Sequence, residues 1–232
     1  MSITKLPIWF SVLLHVLPWS LCLYFFSIAL TNPEQMDLYL SRDSLEGAGL
    51  VENLTVIILI PGIVAGLYGF FRFRSVMKHG WTAYWLLLWT LACVYFAGEE
   101  ISWGQWFFQW NTPEDFAQIN DQNETNLHNI SSWFDQKPRA LVELWIFIGG
   151  VIMPFYSLLQ RKPRQMSSSF WLHPIPQLIS AGMFFTIVRI SRWMEIYEFN
   201  TLFGSSELRE LCVALFLSLF LISFPVRAHM LK

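Results

Sequence analysis

The chain has 232 residues, 54% of them hydrophobic and only 14% charged, where an ordinary soluble domain carries about 25% charged residues. Its mean hydropathy of +0.42 points to a membrane rather than to water. A formal net charge of −2 excludes a nucleic-acid partner, which would need a basic patch. Cys22, Cys93 and Cys212 are scattered through apolar runs without metal-ligand spacing, and read as small packing residues.

In chain order, six apolar runs reach the roughly 20 residues that a bilayer span requires, near 8–30, 50–71, 81–101, 140–159, 175–194 and 208–226. They predict an all-α, polytopic membrane protein: one transmembrane domain over 1–232, with an outer interfacial or re-entrant segment between the third and fourth helices. The first run continues to Leu30 without a small-residue cleavage site, so it is read as a helix and not as a signal peptide. Pro18, Pro61 and Pro154 fall inside runs and predict kinks or freed carbonyls.

Basic residues set the expected orientation. Lys5, then Arg72, Arg74 and Lys78, then Arg161, Lys162 and Arg164, then Arg227 and Lys232 occupy alternate connections, 9 of the 15 in the chain. Those connections are expected in the cytoplasm together with both termini. All 17 acids fall on the other side or at the outer end of a helix. Glu52, Glu99, Glu100 and Glu143 thus mark one depth near the outer interface, with Arg189 and Arg192 at the end of the fifth run.

The outer segment, 102–139, is expected to begin as a continuation of the third helix. At 100° per residue, Glu99, Ser102, Gln105 and Gln109 would form one polar stripe beside an aromatic face of Trp103, Phe107 and Trp110. Asn111–Asp115, N-T-P-E-D, has the pattern of a helix start, with Thr112 as N-cap, Pro113 at the first position and a short helix to about Ile119. Beyond it, Asp121, Glu124 and His128 would share a helical face. Two readings are open for these three: a divalent-metal site, or a solvated polar loop. Glu99 and Glu100, with His128, are the candidate proton-transfer residues, or else a helix end paired with Arg189 or Arg192. The arginines could instead hold a lipid phosphate. Glu52, Ser102, Trp103, Gln105, Asn120, Gln122, Asn126, Asn129, Arg189 and Arg192 complete the candidate binding set. The aromatics are either an interfacial belt or a platform for sugar or lipid.

Two motifs, G-E-E-I-S-W-G-Q at Gly98–Gln105 and E-T-N-L-H-N at Glu124–Asn129, resemble those of a family of uncharacterised bacterial multi-pass inner-membrane proteins. E-G-A-G-L-V-E-N-L-T at Glu46–Thr55 resembles that family's acidic element before the second helix, and Trp106 stands where it often has a basic residue. The resemblance implies an inner-membrane protein whose motifs face the periplasm, and implies no activity. Three functions remain open from the sequence: an outward polar centre acting on a lipid or lipid-linked substrate, an accessory subunit docking a partner membrane protein through the outer motif, or a cation or solute transporter. Against the last, the helix midplanes hold almost no ionisable group besides His15.

Overall fold

The computed structural model describes residues 6–41, 49–75, 80–119, 125–127, 130, 132–160, 169–194 and 202–229. Every regular element among them is helical: α1 (Ile8–Thr31), α2 (Pro33–Leu40), α3 (Leu50–Phe73), α4 (Gly80–Glu100), a 3₁₀ turn (Ser102–Gly104), α5 (Gln105–Phe108), α6 (Glu114–Ala117), α7 (Ser132–Phe147), a π-turn (Ile148–Ile152), α8 (Met153–Gln160), α9 (Ser169–Leu172), a 3₁₀ turn (Pro176–Leu178), α10 (Ile179–Met194) and α11 (Ser206–His229). With no water in a bilayer core to satisfy backbone groups, apolar runs of this length close their own hydrogen bonds as helices.

Five of these helices are long and apolar enough to cross a membrane: Ile8–Thr31, Leu50–Phe73, Trp81–Glu100, Gln136–Ser157 and Ser206–His229. The expected run at 175–194 differs. Pro174 and Pro176 delay its α-helix to Ile179, Arg189 and Arg192 polarise its last described turns, and 16 residues of α10 are described. The helix expected at 140–159 begins earlier, at Ser132, because Lys137-Pro138-Arg139 lies on an amphipathic extension. There Lys137 caps the exposed Trp133 ring one turn away, and Arg139 turns inward. Of the three prolines expected to kink a helix, Pro154 has the visible consequence. It lacks the N–H that would reach Gly150, and the preceding turn widens so that Met153 N–H bonds Ile148 O. Pro18 and Pro61 sit within unbroken helices.

The helices gather round α11. The share of its apolar window buried inside the protein is 89%, against 28–33% for the other four spans. It packs most extensively on α3 and also against α4, α7 and α10. Two glycines of α3 permit close approaches: a Cβ on Gly62 would lie 2.6 Å from Ser218 Cα of α11, and one on Gly66 would lie 2.1 Å from Thr90 Oγ1 of α4. Small residues allow this van der Waals packing where lipid tails are as apolar as the side chains. Buried hydroxyls bond carbonyls of their own helix, as Thr55 does to Val51, Thr90 to Leu86 and Ser223 to Phe220. His15 is accounted for by one interhelical bond, Nδ1 to Ser180 Oγ of α10 at 2.7 Å. Cys22, Cys93 and Cys212 are buried and unbridged.

Candidate functional site

The motif after α4 does not continue the helix. Ser102, Trp103 and Gly104 take φ of 45°, 56° and 96°, so three consecutive residues are left-handed and the chain doubles back. A bulky residue such as Trp103 rarely adopts this region, at a cost of roughly 1–2 kcal/mol per residue. The polar stripe expected from 100° spacing is therefore replaced by a tight reversal that uses three of its four side chains, Glu99, Ser102 and Gln105, differently.

Each of them ties the outer segment to the helix end. Glu99 is 4% exposed, and three donors converge on it: the Trp103 indole N–H at 2.7 Å, the Leu127 amide at 2.8 Å, and the Tyr95 hydroxyl. Ser102 Oγ accepts from Asn126 Nδ2 at 3.1 Å. Gln105 accepts the Thr125 amide at 2.6 Å and donates to Thr112 Oγ1 at 3.0 Å. The two motifs, apart in sequence, form one structural unit. Gly98 belongs to it because a Cβ there would meet the Trp103 ring at 2.7 Å. Thr112 is spent on Gln105 and does not cap α6, which covers only Glu114–Ala117 with Pro113 as its cap residue. Gln109 is exposed, with φ 53°.

Glu99→Gln should therefore loosen the outer segment and leave the bundle folded. Losing a charge-assisted acceptor costs roughly 1.5–3 kcal/mol. The expected result is faster hydrogen exchange at the Leu127 amide with unchanged exchange in α11. An unaltered Leu127 rate would remove the tether.

Glu100, together with Glu99, lines a cavity of ≈ 160 Å³ between α4, α7 and α11. That volume holds about five waters or one slender chain segment. Trp89, Ala92 and Phe96 of α4, Val142 of α7, and Val213 and Leu217 of α11 form apolar walls. Glu99, Glu100, Arg139 and Glu210 form the polar end. α4 and α7 both rest on α11 with little direct backbone approach to each other. They meet where Trp89 stacks on Trp145 at 4.4 Å, and Trp145 in turn packs edge-on against Phe220 of α11 at 4.9 Å.

Behind the polar end runs an ion network across four helices. Glu100 hydrogen-bonds Glu210, with Glu52 as another acidic neighbour. Glu210 pairs with Arg139, which also donates to Ser206 Oγ at 3.1 Å. Glu143 bridges Arg189 at 3.3 Å and Arg209 at 3.2 Å. Arg189 lies over the Trp193 ring, 5.0 Å from guanidinium carbon to centroid. The expectation that Glu99 or Glu100 pairs with Arg189 or Arg192 is thus replaced: Arg189 serves Glu143, and Arg192 is exposed. Glu52 accepts the Gly49 amide at 2.9 Å, closing the start of α3.

Of the candidate residues, Asn120, Asp121, Gln122, Glu124, His128 and Asn129 lie outside the described residues, and with them the metal reading. Among the described residues no three His, Cys, Asp or Glu side chains form a metal-sized group. Three members of the site were not singled out from sequence: Arg139, Arg209 and Glu210. Their signal was present, since each is an ionisable residue at the edge of an apolar run, where burial demands a partner.

No family model matches the chain, and no curated protein and no solved structure matches it either.

Proposed function

We propose that this protein binds and acts on a membrane lipid or lipid-linked substrate. The apolar part of that molecule enters the cavity between α4, α7 and α11, and its polar part meets Glu100, Glu210 and Arg139. The observation that carries the reading is an apolar-walled cavity ending on a hydrogen-bonded carboxyl pair beside a guanidinium. Glu100 is the group placed to take or hand on a proton, with Glu210 as its relay. Glu99, already holding three donors, is a positioning residue.

The test is co-purification. Wild-type protein is expected to retain one lipid species in near-stoichiometric amount by mass spectrometry. Ala92→Phe, which fills the cavity from its wall, should lose most of it, and Glu100→Gln should retain it without turning it over. Identical lipid content in wild type and Ala92→Phe would sink the reading.

The setting we propose is the bacterial inner membrane, with α10 as a sixth span, both termini in the cytoplasm and the motif unit facing the periplasm. The alternation of basic connections and acidic helix ends supports this, as does the resemblance of the two motifs, whose bonding partners coincide. The outer segment would then lie at the lipid interface on Phe107, Phe108 and Trp110, of which Phe108 is 77% exposed. A cysteine at Phe108 should react with an impermeant maleimide in cells with a permeabilised outer membrane, while the three buried native cysteines stay silent. Labelling only after inner-membrane lysis would reverse the topology.

A second reading keeps the outer aromatics as a docking surface for a partner membrane protein, because Trp133 is 66% exposed on the same end as Phe108. Trp133→Ala with Phe108→Ala separates the two. Docking would be lost and cavity-bound lipid kept.

A further inference from the structure

We infer that the molecule bound in the cavity has an uncharged head that bears hydroxyl groups. This rests on the lipid-binding reading above and names the chemistry of the head.

A hydrogen bond between two carboxyl groups needs a proton between them. Glu100 and Glu210 therefore hold one proton and one negative charge as a pair. Arg139, bound to Glu210, balances that charge. Glu99 lines the same end, and three donors already converge on its carboxylate. A charged head would disturb this end in either sense. A phosphate would add negative charge beside three carboxyl side chains, where Arg139 is already committed to Glu210. An ammonium would find a counter-charge only by displacing the shared proton or by drawing Glu210 away from Arg139.

The pair has hydrogen bonds to offer instead of charge. Oε1 of Glu210 holds Arg139 and accepts the Ser206 hydroxyl at 3.3 Å. Glu100 spends one of about four acceptor positions on Glu210 and lines the cavity with the rest of its carboxyl group. A hydroxyl both donates and accepts, so it suits Glu100 wherever the shared proton lies. Size points to the same class of molecule. A cavity of ≈ 160 Å³ takes a small head and one chain segment. Leu91 and Leu141, next in sequence to the wall residues Ala92 and Val142, are exposed, so lipid-facing surface adjoins both walls. A single-chain neutral lipid of the monoacylglycerol kind has this chemistry.

Native mass spectrometry of the purified full chain tests this with four probes of one chain length: monooleoylglycerol, methyl oleate, oleylamine and oleoyl lysophosphatidic acid. Monooleoylglycerol is expected to bind at least tenfold more tightly than each of the others. The ranking should survive in Glu100→Gln, where an amide N–H replaces the shared proton and the pair keeps its charge. A ranking that collapses there would overturn the balanced pair. Specific binding should be lost in Ala92→Phe or Val142→Phe. Oleylamine, methyl oleate or lysophosphatidic acid bound as tightly as monooleoylglycerol, with binding still lost in the filled-cavity variants, would overturn the hydroxyl head and leave the lipid reading standing. Binding indifferent to both fillers, each checked for a monodisperse profile, would overturn both. If neither filler is monodisperse, the ranking in the wild type and in Glu100→Gln decides the head.

Discussion

Gly62→Ala should be among the most damaging single-methyl changes in this protein, and no truncation of its partner should repair it. In a helix, Ala is favoured over Gly by about 1 kcal/mol, so propensity alone predicts a gain. The clash reverses the sign. The new Cβ would stand 2.6 Å from Ser218 Cα, which is backbone, and Ser218→Ala leaves that atom where it is. The helices must separate, and a loss of about 3 kcal/mol is expected at the upper end of overpacking costs. Gly66→Ala offers an internal control. Its Cβ would meet Thr90 Oγ1 at 2.1 Å but Thr90 Cβ only at 3.1 Å. In Gly66→Ala/Thr90→Ala the offending atom is gone, and stability should return to within about 0.5 kcal/mol of Thr90→Ala alone. Thermal unfolding in detergent, read by loss of the monodisperse species, measures all five variants. Rescue of Gly62→Ala by Ser218→Ala would show that the α3–α11 approach is looser than 2.6 Å implies.

Glu143→Ala should be the most damaging single change within the ion network. One carboxylate serves two arginines, and its removal leaves Arg189 and Arg209 facing each other at a helix junction. Breaking a buried pair costs roughly 3–5 kcal/mol, mainly through the charge left behind. The side chains here are 12% exposed for Glu143, 18% for Arg209 and 30% for Arg189. Solvent therefore screens the site partly, and about 2–3 kcal/mol is the expected loss. Adding Arg209→Met to Glu143→Ala should restore much of it, because the stranded cation disappears and an apolar stem of similar length keeps the packing. A double variant no more stable than Glu143→Ala would mean that the loss came from packing and not from uncompensated charge.

These two effects arise from contacts that differ greatly in how legible they were. The membrane class and the bounds of α1, α3, α4 and α11 followed from runs of apolar residues, since a bilayer demands local backbone hydrogen bonding and therefore long helices. That Glu52, Glu100 and Glu143 mark a charged end of their helices was legible from charge placement. The rank of the helices did not follow. α3 and α11 have nearly equal mean hydropathy, yet one is mostly at the periphery and the other enclosed, because apolar composition suits lipid and protein neighbours equally. α10 shows the limit from the other side: its run was visible, but the prolines before it delay the start of its α-helix to Ile179.

The site divides in the same way. That Glu99, Ser102 and Gln105 act together was readable as a pattern, although the helical spacing that suggested it is absent. The left-handed turn at Ser102–Gly104 is held by the Leu127 amide, Asn126 and Thr125, residues whose proximity no local periodicity encodes. Adjacent residues on a helix diverge by about 100°, so Glu99 and Glu100 meet different partners. Tertiary structure tied Glu99 to the outer segment and set Glu100 beside Glu210, with both glutamates lining the cavity. It did so by bringing Arg139 and Glu210, from two other helices, to the same end. Sequence alone determined what kind of protein this is and where its ionisable groups must gather, because transfer free energies act residue by residue. Which carboxylate meets which partner was decided by helix packing, because an ion pair depends on the relative rotation of two helices that the sequence of either leaves free.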